Sequence, residues 1–384
     1  MSTNLLNRKF MKINDPDIID NKITFLTFSL DHGGAEKVCL TLCNEFAQRN
    51  YETELWIINY RESSLTGELS SKIKIFNLNR RHVRNSLIPL IRLMVRQRPK
   101  KILIFHIELA VLIIALKKLL FLKTTVFVRS INTLSRAYDY PNGIWEKYLA
   151  RPVIKWILPG SDKIIVQSTG MYRDMIRNFN IPSKKLVTIH NPAFNLPVNN
   201  IMKTDGEKKQ NEFLYVGRLS PQKGLENMLN SFKSAHNFNP SIHLTLVGDG
   251  SEREKLENLV TELGLKNNVT FTGFRENTFP YFYRAKATLL TSFFEGFPNV
   301  LVESLMAGTP VIAFDCPSGP EDIIIPEING LLIPYLELNE FSAAILKVAG
   351  DEVQFDREKI IESSERFSIN SIVLKYEKAL WETH

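Results

Sequence analysis

An α/β protein of two doubly wound parallel-sheet domains is the fold this sequence predicts. A short apolar, β-rich run followed by a glycine turn and a helically spaced stretch recurs along both halves. A polar interval with Pro197, Asn199, Asn200, Gly206 and a Lys pair separates them. The chain of 384 residues also exceeds the ~250–300 that a single hydrophobic core serves. Hydrophobic residues at 44% and charged residues at 23% exclude intrinsic disorder. The net charge of +7 favours anionic partners, whether phosphates, acidic lipid or nucleic acid, without choosing among them.

In the first half, residues 23–30 read as a strand, Asp31-His32-Gly33-Gly34 as a turn, and 35–48 as a helix with Val38, Leu42 and Phe46 on one face. Cys39 and Cys43, four apart on that helix, read as small core residues. Further strands are expected at 53–59, 101–105, 125–128 and 163–167. Residues 80–101 carry eight Lys or Arg and no acid, interleaved with Leu87, Ile88, Leu90, Ile91, Leu93, Met94 and Val95. That pattern fits a basic amphipathic helix, either solvated against the sheet or laid on an anionic membrane. The apolar stretch 109–122 is broken by Lys117 and Lys118, so it reads as a buried or membrane-touching helix that does not cross a bilayer.

Residues 195–211 form the expected linker, giving domains at 1–195 and 196–364. Strands in the second half are expected at 212–216, 242–247, 269–272, 287–290 and 311–314. A closing helix over 369–383, with Ile372, Leu374, Tyr376, Leu380 and Trp381, is expected to pack, as part of the segment 365–384, on the first domain. Three cysteines, the third being Cys316, are too few for a disulfide framework or a four-ligand zinc site, which fits a reducing, cytosolic location. The polar N-terminus lacks the pattern of a secretory signal, so no export is expected.

The chemistry concentrates in the second half. Strand 287–290 leads through Thr291-Ser292-Phe293-Phe294-Glu295-Gly296-Phe297 into a helix of about three turns, with Pro298 suited to its first turn and Gly308 to its C-cap. The free N–H groups near Asn299 and Val300 and the positive end of the helix dipole make a site for phosphate. Glu295 and Glu303 flank it and can hold sugar or ribose hydroxyls, or be a solvated pair beside an ordinary βα turn. Gly217-Arg218-Leu219-Ser220-Pro221-Gln222-Lys223-Gly224 follows another strand. Two cations five residues apart at a strand end can clamp a diphosphate and stabilise its departure; a lone loop of this kind is also common surface decoration.

These loops, with Gly248-Asp249-Gly250, Gly273-Phe274 and Ala307-Gly308-Thr309-Pro310, resemble retaining glycosyltransferases of family 4. The match covers most of the second half in order. His32-Gly33-Gly34-Ala35-Glu36 resembles that family's acceptor-side glycine loop, and the rest of the first half matches more weakly. The resemblance implies a GT-B fold, two Rossmann-like domains facing a cleft. It implies that Arg218 and Lys223 in the Gly217 loop hold the diphosphate of a nucleotide-sugar, with Pro298, Asn299 and Val300 at the helix N-terminus. Glu303 would contact ribose, Glu295 the donor sugar, and the backbone at Gly273 and Phe274 the base. Gly33 and Gly34 would let the first domain's backbone approach the donor phosphate or acceptor. No metal is expected, since Arg, Lys and a helix dipole would supply the charge.

Family members also place a functional His in the first domain, and His106, after the strand 101–105, occupies such a position; it is equally a candidate for a structural hydrogen bond. Arg129, at the end of the next strand, can meet an acceptor phosphate or make an ion pair. Ser318 and Gly319, in Cys316-Pro-Ser-Gly-Pro-Glu321, are candidates for donor-sugar contacts, and that segment resembles members that transfer galactose or N-acetylhexosamine.

The function implied is metal-independent, retaining transfer of a hexose or N-acetylhexosamine from a UDP-sugar, the donor substrate and not a cofactor. The acceptor would be a saccharide linked to polyprenyl diphosphate, in O-antigen, capsule or related polysaccharide synthesis. The enzyme would sit in the cytoplasm against the inner face of the plasma membrane, through residues 80–122. A nucleotide-sugar epimerase on the same fold is the alternative. A nucleic-acid-binding protein is a remote one, since no recognised motif accompanies the charge.

Overall fold

The computed structural model describes residues 21–30, 33–60, 67–139, 151–193 and 211–382. The first domain opens with β1 (Lys22–Thr27), α1 (Gly34–Gln48), β2 (Glu52–Ile57), β3 (Lys74–Asn77) and α2 (Leu87–Gln97). It continues through β4 (Lys101–Ile104), α3 (Ile107–Leu119), β5 (Thr125–Arg129), α4 (Leu134–Asp139) and α5 (Arg151–Ile157). It ends with β6 (Lys163–Val166), α6 (Thr169–Phe179) and β7 (Leu186–Thr188). The second domain begins with β8 (Glu212–Val216), α7 (Leu225–Phe238), β9 (His243–Val247), α8 (Arg253–Glu262), β10 (Val269–Gly273) and α9 (Phe279–Arg284). Then come β11 (Ala287–Leu290), α10 (Asn299–Met306), β12 (Val311–Phe314), α11 (Pro320–Ile323) and β13 (Gly330–Ile333). The helices α12 (Leu338–Ala349), α13 (Arg357–Ser364) and α14 (Ile369–Trp381) close the chain.

The strands form a seven-stranded sheet ordered β3-β2-β1-β4-β5-β6-β7 and a six-stranded sheet ordered β10-β9-β8-β11-β12-β13. All their pairings are parallel. Helices cover both faces, so the inner strands are largely buried and mostly apolar; the last five residues of β1 and all of β11 are buried. In each sheet the order reverses at one point, between β1 and β4 and between β8 and β11. There the connections leave in opposite directions and open a crevice at the carboxyl ends of the strands. The expected pair of doubly wound domains is the fold observed.

Three strands escaped the sequence pattern, and all three lie at sheet edges: β3, β7 and β13. They are three or four residues long, too short to stand out as strands, and β3 is mostly exposed as well. The expected helix over 80–101 is shorter. Residues 83–86 form a 3₁₀ turn, and α2 starts at Leu87, with Pro89 accommodated in its first turn. It stops where Arg98 turns left-handed at φ 42° before Pro99. The apolar helix expected over 109–122 is α3, which begins at Ile107, ends at Leu119 and is largely a core helix. Among the described residues no helix is long and apolar enough to cross a membrane. The expected linker lies outside the described residues except for Asn211, as do His32 and Thr383.

Residues Ile372, Val373, Tyr376, Ala379 and Leu380 of α14 share one buried cluster with Phe25 of β1 and with Cys39, Cys43 and Phe46 of α1. The last helix therefore crosses from the second domain to complete the core of the first. Trp381 stacks on Phe46 with ring centroids 5.8 Å apart and meets Tyr51 at 4.6 Å. Leu380 is fully buried, whereas Leu374 on the same helix is 52% exposed. Leu380→Ala should lower unfolding free energy by about 2–5 kcal/mol, and Leu374→Ala by less than about 0.5 kcal/mol, in urea titrations of the two variants. Equal losses would contradict the docking of α14.

Candidate active site

The loops at the two switch points face one another across a cavity of ≈ 500 Å³, within the ~300–1,000 Å³ range of small-molecule sites. From the first domain it is lined by Gly33 and Gly34 after β1, Arg129 at the end of β5, Ile131 and Asn132 after it, and Asn191 after β7. From the second come Gly217, Arg218, Gln222 and Lys223 after β8, and Glu295, Phe297, Pro298, Asn299 and Val300 after β11.

Glycines shape the second-domain wall. Gly224 has φ +58°, and a Cβ there would lie 2.4 Å from the Thr291 carbonyl oxygen; only glycine lets the β8 loop close against the end of β11. Thr291 Oγ1 donates to the Gly224 carbonyl at 3.0 Å, and Gln222 Nε2 donates to the Phe294 carbonyl at 2.9 Å. This closure places Lys223 Nζ 2.6 Å from Glu295 Oε1, an oxygen that also accepts from Ser292 Oγ at 2.6 Å. Lys223 and Glu295 therefore hold each other. Glu295 is only 6% exposed, while Arg218 lies exposed at the rim.

The helix between Pro298 and Gly308 is α10, eight residues and about two turns long where three were expected. Pro298 is its N-cap and supplies no side-chain cap bond, so the N-terminus that faces the cavity keeps its free donors. Gly308, at φ +71°, stands one residue beyond the Ala307 C-cap, the usual place for a left-handed glycine.

Glu303, Gly273, Phe274 and His106 do not line this cavity. Glu303 is partly buried lower on α10; burial raises its carboxyl above the usual range, and the charge of Lys37 on α1 opposes the rise. Gly273 ends β10, where its carbonyl accepts from the Gly248 N–H at 3.0 Å, and Phe274 is 71% exposed beside it. His106 is the N-cap residue of α3, with Nε2 3.5 Å from Thr27 Oγ1 and its ring edge-on to Phe28. Burial, then the nearby Arg129 charge, lowers its pKa to about 4.

Arg129 makes no surface ion pair. It is 1% exposed, donating through Nε to Tyr376 Oη at 3.1 Å and through Nη2 to Asn191 Oδ1 at 2.5 Å. Asn191 Nδ2 in turn donates to Asn299 Oδ1 at 2.7 Å. Asn191 and Ser292 were not anticipated. Asn191 follows an edge strand the pattern missed, and Ser292 stands in a stretch of loop where nothing local marks it as the partner of Glu295.

Ser318 is also placed differently from the expectation. Its side chain is buried, shares a 2.5 Å hydrogen bond with Ser168 Oγ and donates to the Gly296 carbonyl at 3.2 Å. With Pro317 it lines a neighbouring cavity of ≈ 470 Å³. Gly319 is packed against Pro298. These residues belong to the domain junction, where Thr133 Oγ1 donates to the Glu295 carbonyl at 2.8 Å. Thr169 donates there through N and Oγ1 to the Asp322 carboxylate. Cys39, Cys43 and Cys316 are all buried. Among the described residues no group of three or more His, Cys, Asp and Glu is arranged to hold a metal ion.

Residues 32–193 match the family described as Glycosyltransferase Family 4, and residues 199–368 the family described as Glycosyl transferases group 1. Lipopolysaccharide 1,6-galactosyltransferase of Escherichia coli is 31% identical over 215 residues, covering 54% of this chain and 58% of that protein. N-acetylgalactosamine-N,N'-diacetylbacillosaminyl-diphospho-undecaprenol 4-alpha-N-acetylgalactosaminyltransferase of Campylobacter jejuni is 28% identical over 213 residues, covering 55% and 56%. The aligned part of the chain thus spans little more than half the length of these relatives. HepE of Anabaena, solved in complex with UDP, matches over 94% of this chain and 99% of its own, with a TM-score of 0.74 at 19% identity, a likeness of fold. One glycosyltransferase family model matches along the first domain and another along the second, and the two doubly wound sheets meeting at a cleft have the GT-B fold.

Proposed function

We propose that the protein is a retaining, family 4 glycosyltransferase that moves a hexose or N-acetylhexosamine from a UDP-sugar to a saccharide carried on polyprenyl diphosphate, in the synthesis of a bacterial surface polysaccharide. The observation that carries this reading is the convergence of Lys223, Arg218, Glu295, the uncapped N-terminus of α10 and the Gly33-Gly34 turn on one cavity. The relatives support it: HepE is in complex with UDP, the Escherichia coli and Campylobacter jejuni proteins are galactose and N-acetylgalactosamine transferases, and the latter's name includes a diphospho-undecaprenol.

Laid along the strand ends of the second domain, the donor puts its base at Gly273 and Phe274 and its sugar at Glu295. β10 and β11 are three positions apart in the sheet, roughly 14 Å at the ~4.8 Å spacing of strands, a span suited to a nucleotide-sugar. Glu303 accepts from the ribose hydroxyls. Lys223, Arg218 and the α10 dipole hold the diphosphate, so Lys223 exchanges Glu295 for phosphate and frees that carboxylate for sugar hydroxyls. In the reaction the bond from the anomeric carbon to the phosphate oxygen breaks and a bond to the acceptor oxygen forms on the same face. The acceptor's proton passes to the departing phosphate oxygen, and the cations stabilise the charge that develops there. No protein nucleophile and no metal are invoked. His106, neutral at pH 7, positions a hydroxyl by hydrogen bonding.

The outer face of α2 and the turn before it present Arg84, Ile88, Arg92 and Val95, all exposed, and Ile88 is 61% exposed. Basic and apolar residues alternating on one face suit the anionic inner surface of a membrane, where a lipid-linked acceptor resides.

Lys223→Ala should reduce transfer by roughly 10²–10³-fold, measured with a panel of UDP-sugars and a lipid-linked acceptor at a temperature where the variant is folded, and should lower the melting temperature because Glu295 is left unpaired. Wild-type rates in that variant would remove the assignment, and conversion of the donor without an acceptor would favour an epimerase. The position of His106 has a second consequence. Between about pH 4 and pH 6.5 the unfolded chain carries a proton there that the folded one does not, so stability should rise with pH across that window by up to about 3 kcal/mol. His106→Gln should lose that share of the slope in urea titrations at about pH 4.5 and pH 7. Identical slopes would mean that the imidazole titrates normally.

A further inference from the structure

Arg129 is among the largest fully buried side chains of the protein, and its guanidinium is only partly satisfied. Nε and Nη2 are held by Tyr376 and Asn191, while buried Nη1 has no hydrogen-bond partner. No carboxylate among the described residues pairs with it. The aromatic face of Phe105, 5.3 Å away, tolerates the charge without neutralising it. A guanidinium cannot shed its proton to escape burial, so a retained, half-bonded Arg calls for an anion.

The surroundings say where that anion goes. Arg129 lines the cleft with Gly33, Gly34, Asn191 and Asn299. Gly34 and Asn299 are the first residues of α1 and α10, helices of 15 and 8 residues, and neither has a side-chain cap bond from its N-cap residue. A Cβ on Gly34 would lie 3.4 Å from Asn299 Nδ2, so the two N-termini meet from opposite domains. Glu36, also at the cavity wall, folds back over Gly33 at the start of α1.

We infer that Arg129, with the N-termini of α1 and α10, binds the terminal phosphate of a nucleoside diphosphate from the first-domain side of the cleft. The assignment rests on the donor reading and adds a first-domain ligand to Lys223 and Arg218 of the second. It gives Arg129 to the donor, in place of the acceptor phosphate considered from sequence alone. Because Arg129 is fixed by Tyr376 of α14 and linked through Asn191 to α10, one phosphate would be gripped by both domains at once.

Binding of UDP, UMP, inorganic diphosphate and geranyl diphosphate to the full chain tests this by calorimetry. Arg129→Met should weaken UDP and inorganic diphosphate about ten- to a hundredfold, the loss expected for a charged hydrogen bond, and leave UMP within about twofold. Arg129→Lys, which keeps a buried cation, is the second variant should the first not fold, and should show a smaller loss of the same kind. Equal loss of UDP and UMP, or no loss of either, overturns the assignment. Loss confined to geranyl diphosphate overturns it in favour of an acceptor subsite. Diphosphate binding that depends on Arg129 with no preference for uridine would uphold the phosphate site and remove the donor reading. Absence of all binding to the wild type would overturn both.

Discussion

A parallel sheet buried on both faces can place polar chemistry only at its strand ends, and this constraint organises the protein. The inner strands are mostly apolar because helices cover them above and below, so charged side chains with work to do stand in the connections or, like Arg129, at the last position of a strand. At a switch point the connections diverge and leave room for a ligand. Two such sheets with their carboxyl ends opposed make a cleft in which Gly33-Gly34, Arg129, Lys223 and Glu295 all reach one volume. Neither domain alone has this set.

Within the cleft the charges are arranged for exchange of partners. Lys223 and Glu295 neutralise each other at 2.6 Å in a place where Glu295 has little access to water. Either charge left alone there would be strongly unfavourable, and each is therefore committed until a ligand offers both an anion for the lysine and hydroxyls for the carboxylate. On the proposed reading a nucleotide-sugar would offer both at neighbouring positions, whereas a bare phosphate would satisfy the lysine and strand the glutamate, so the pair would favour the complete donor over its fragments.

Sequence reasoning reached the central strands, the glycine loops and the two cations because each depends on local pattern: β-branched runs, turn residues at fixed offsets, Pro before a helix and Gly after it. It missed the edge strands β3, β7 and β13 because three or four residues are too short to stand out as a strand. It overran α2 because basic and apolar residues continue on both sides while Pro89 and Pro99 set the ends. Residues after β7 were unread for the same reason as the strand, and Asn191 was lost with them. The burial of Arg129 and the displacement of Ser318 into the junction depend on contacts 62 to 247 positions away in sequence, which no window of local sequence contains.

The path of α14 gives those distant contacts a mechanical sense. The helix leaves the second domain, completes the core of the first, and places Tyr376 against Arg129 at the cleft. Ala193, at the end of the first domain's described residues, donates its N–H to the Phe367 carbonyl just before this helix at 2.6 Å. Thr133, Ser168 and Thr169 hydrogen-bond across the same junction, so α14, the Ala193 contact and these side chains together hold the two walls of the cleft in register, and the position of Arg129 opposite α10 depends on all of them.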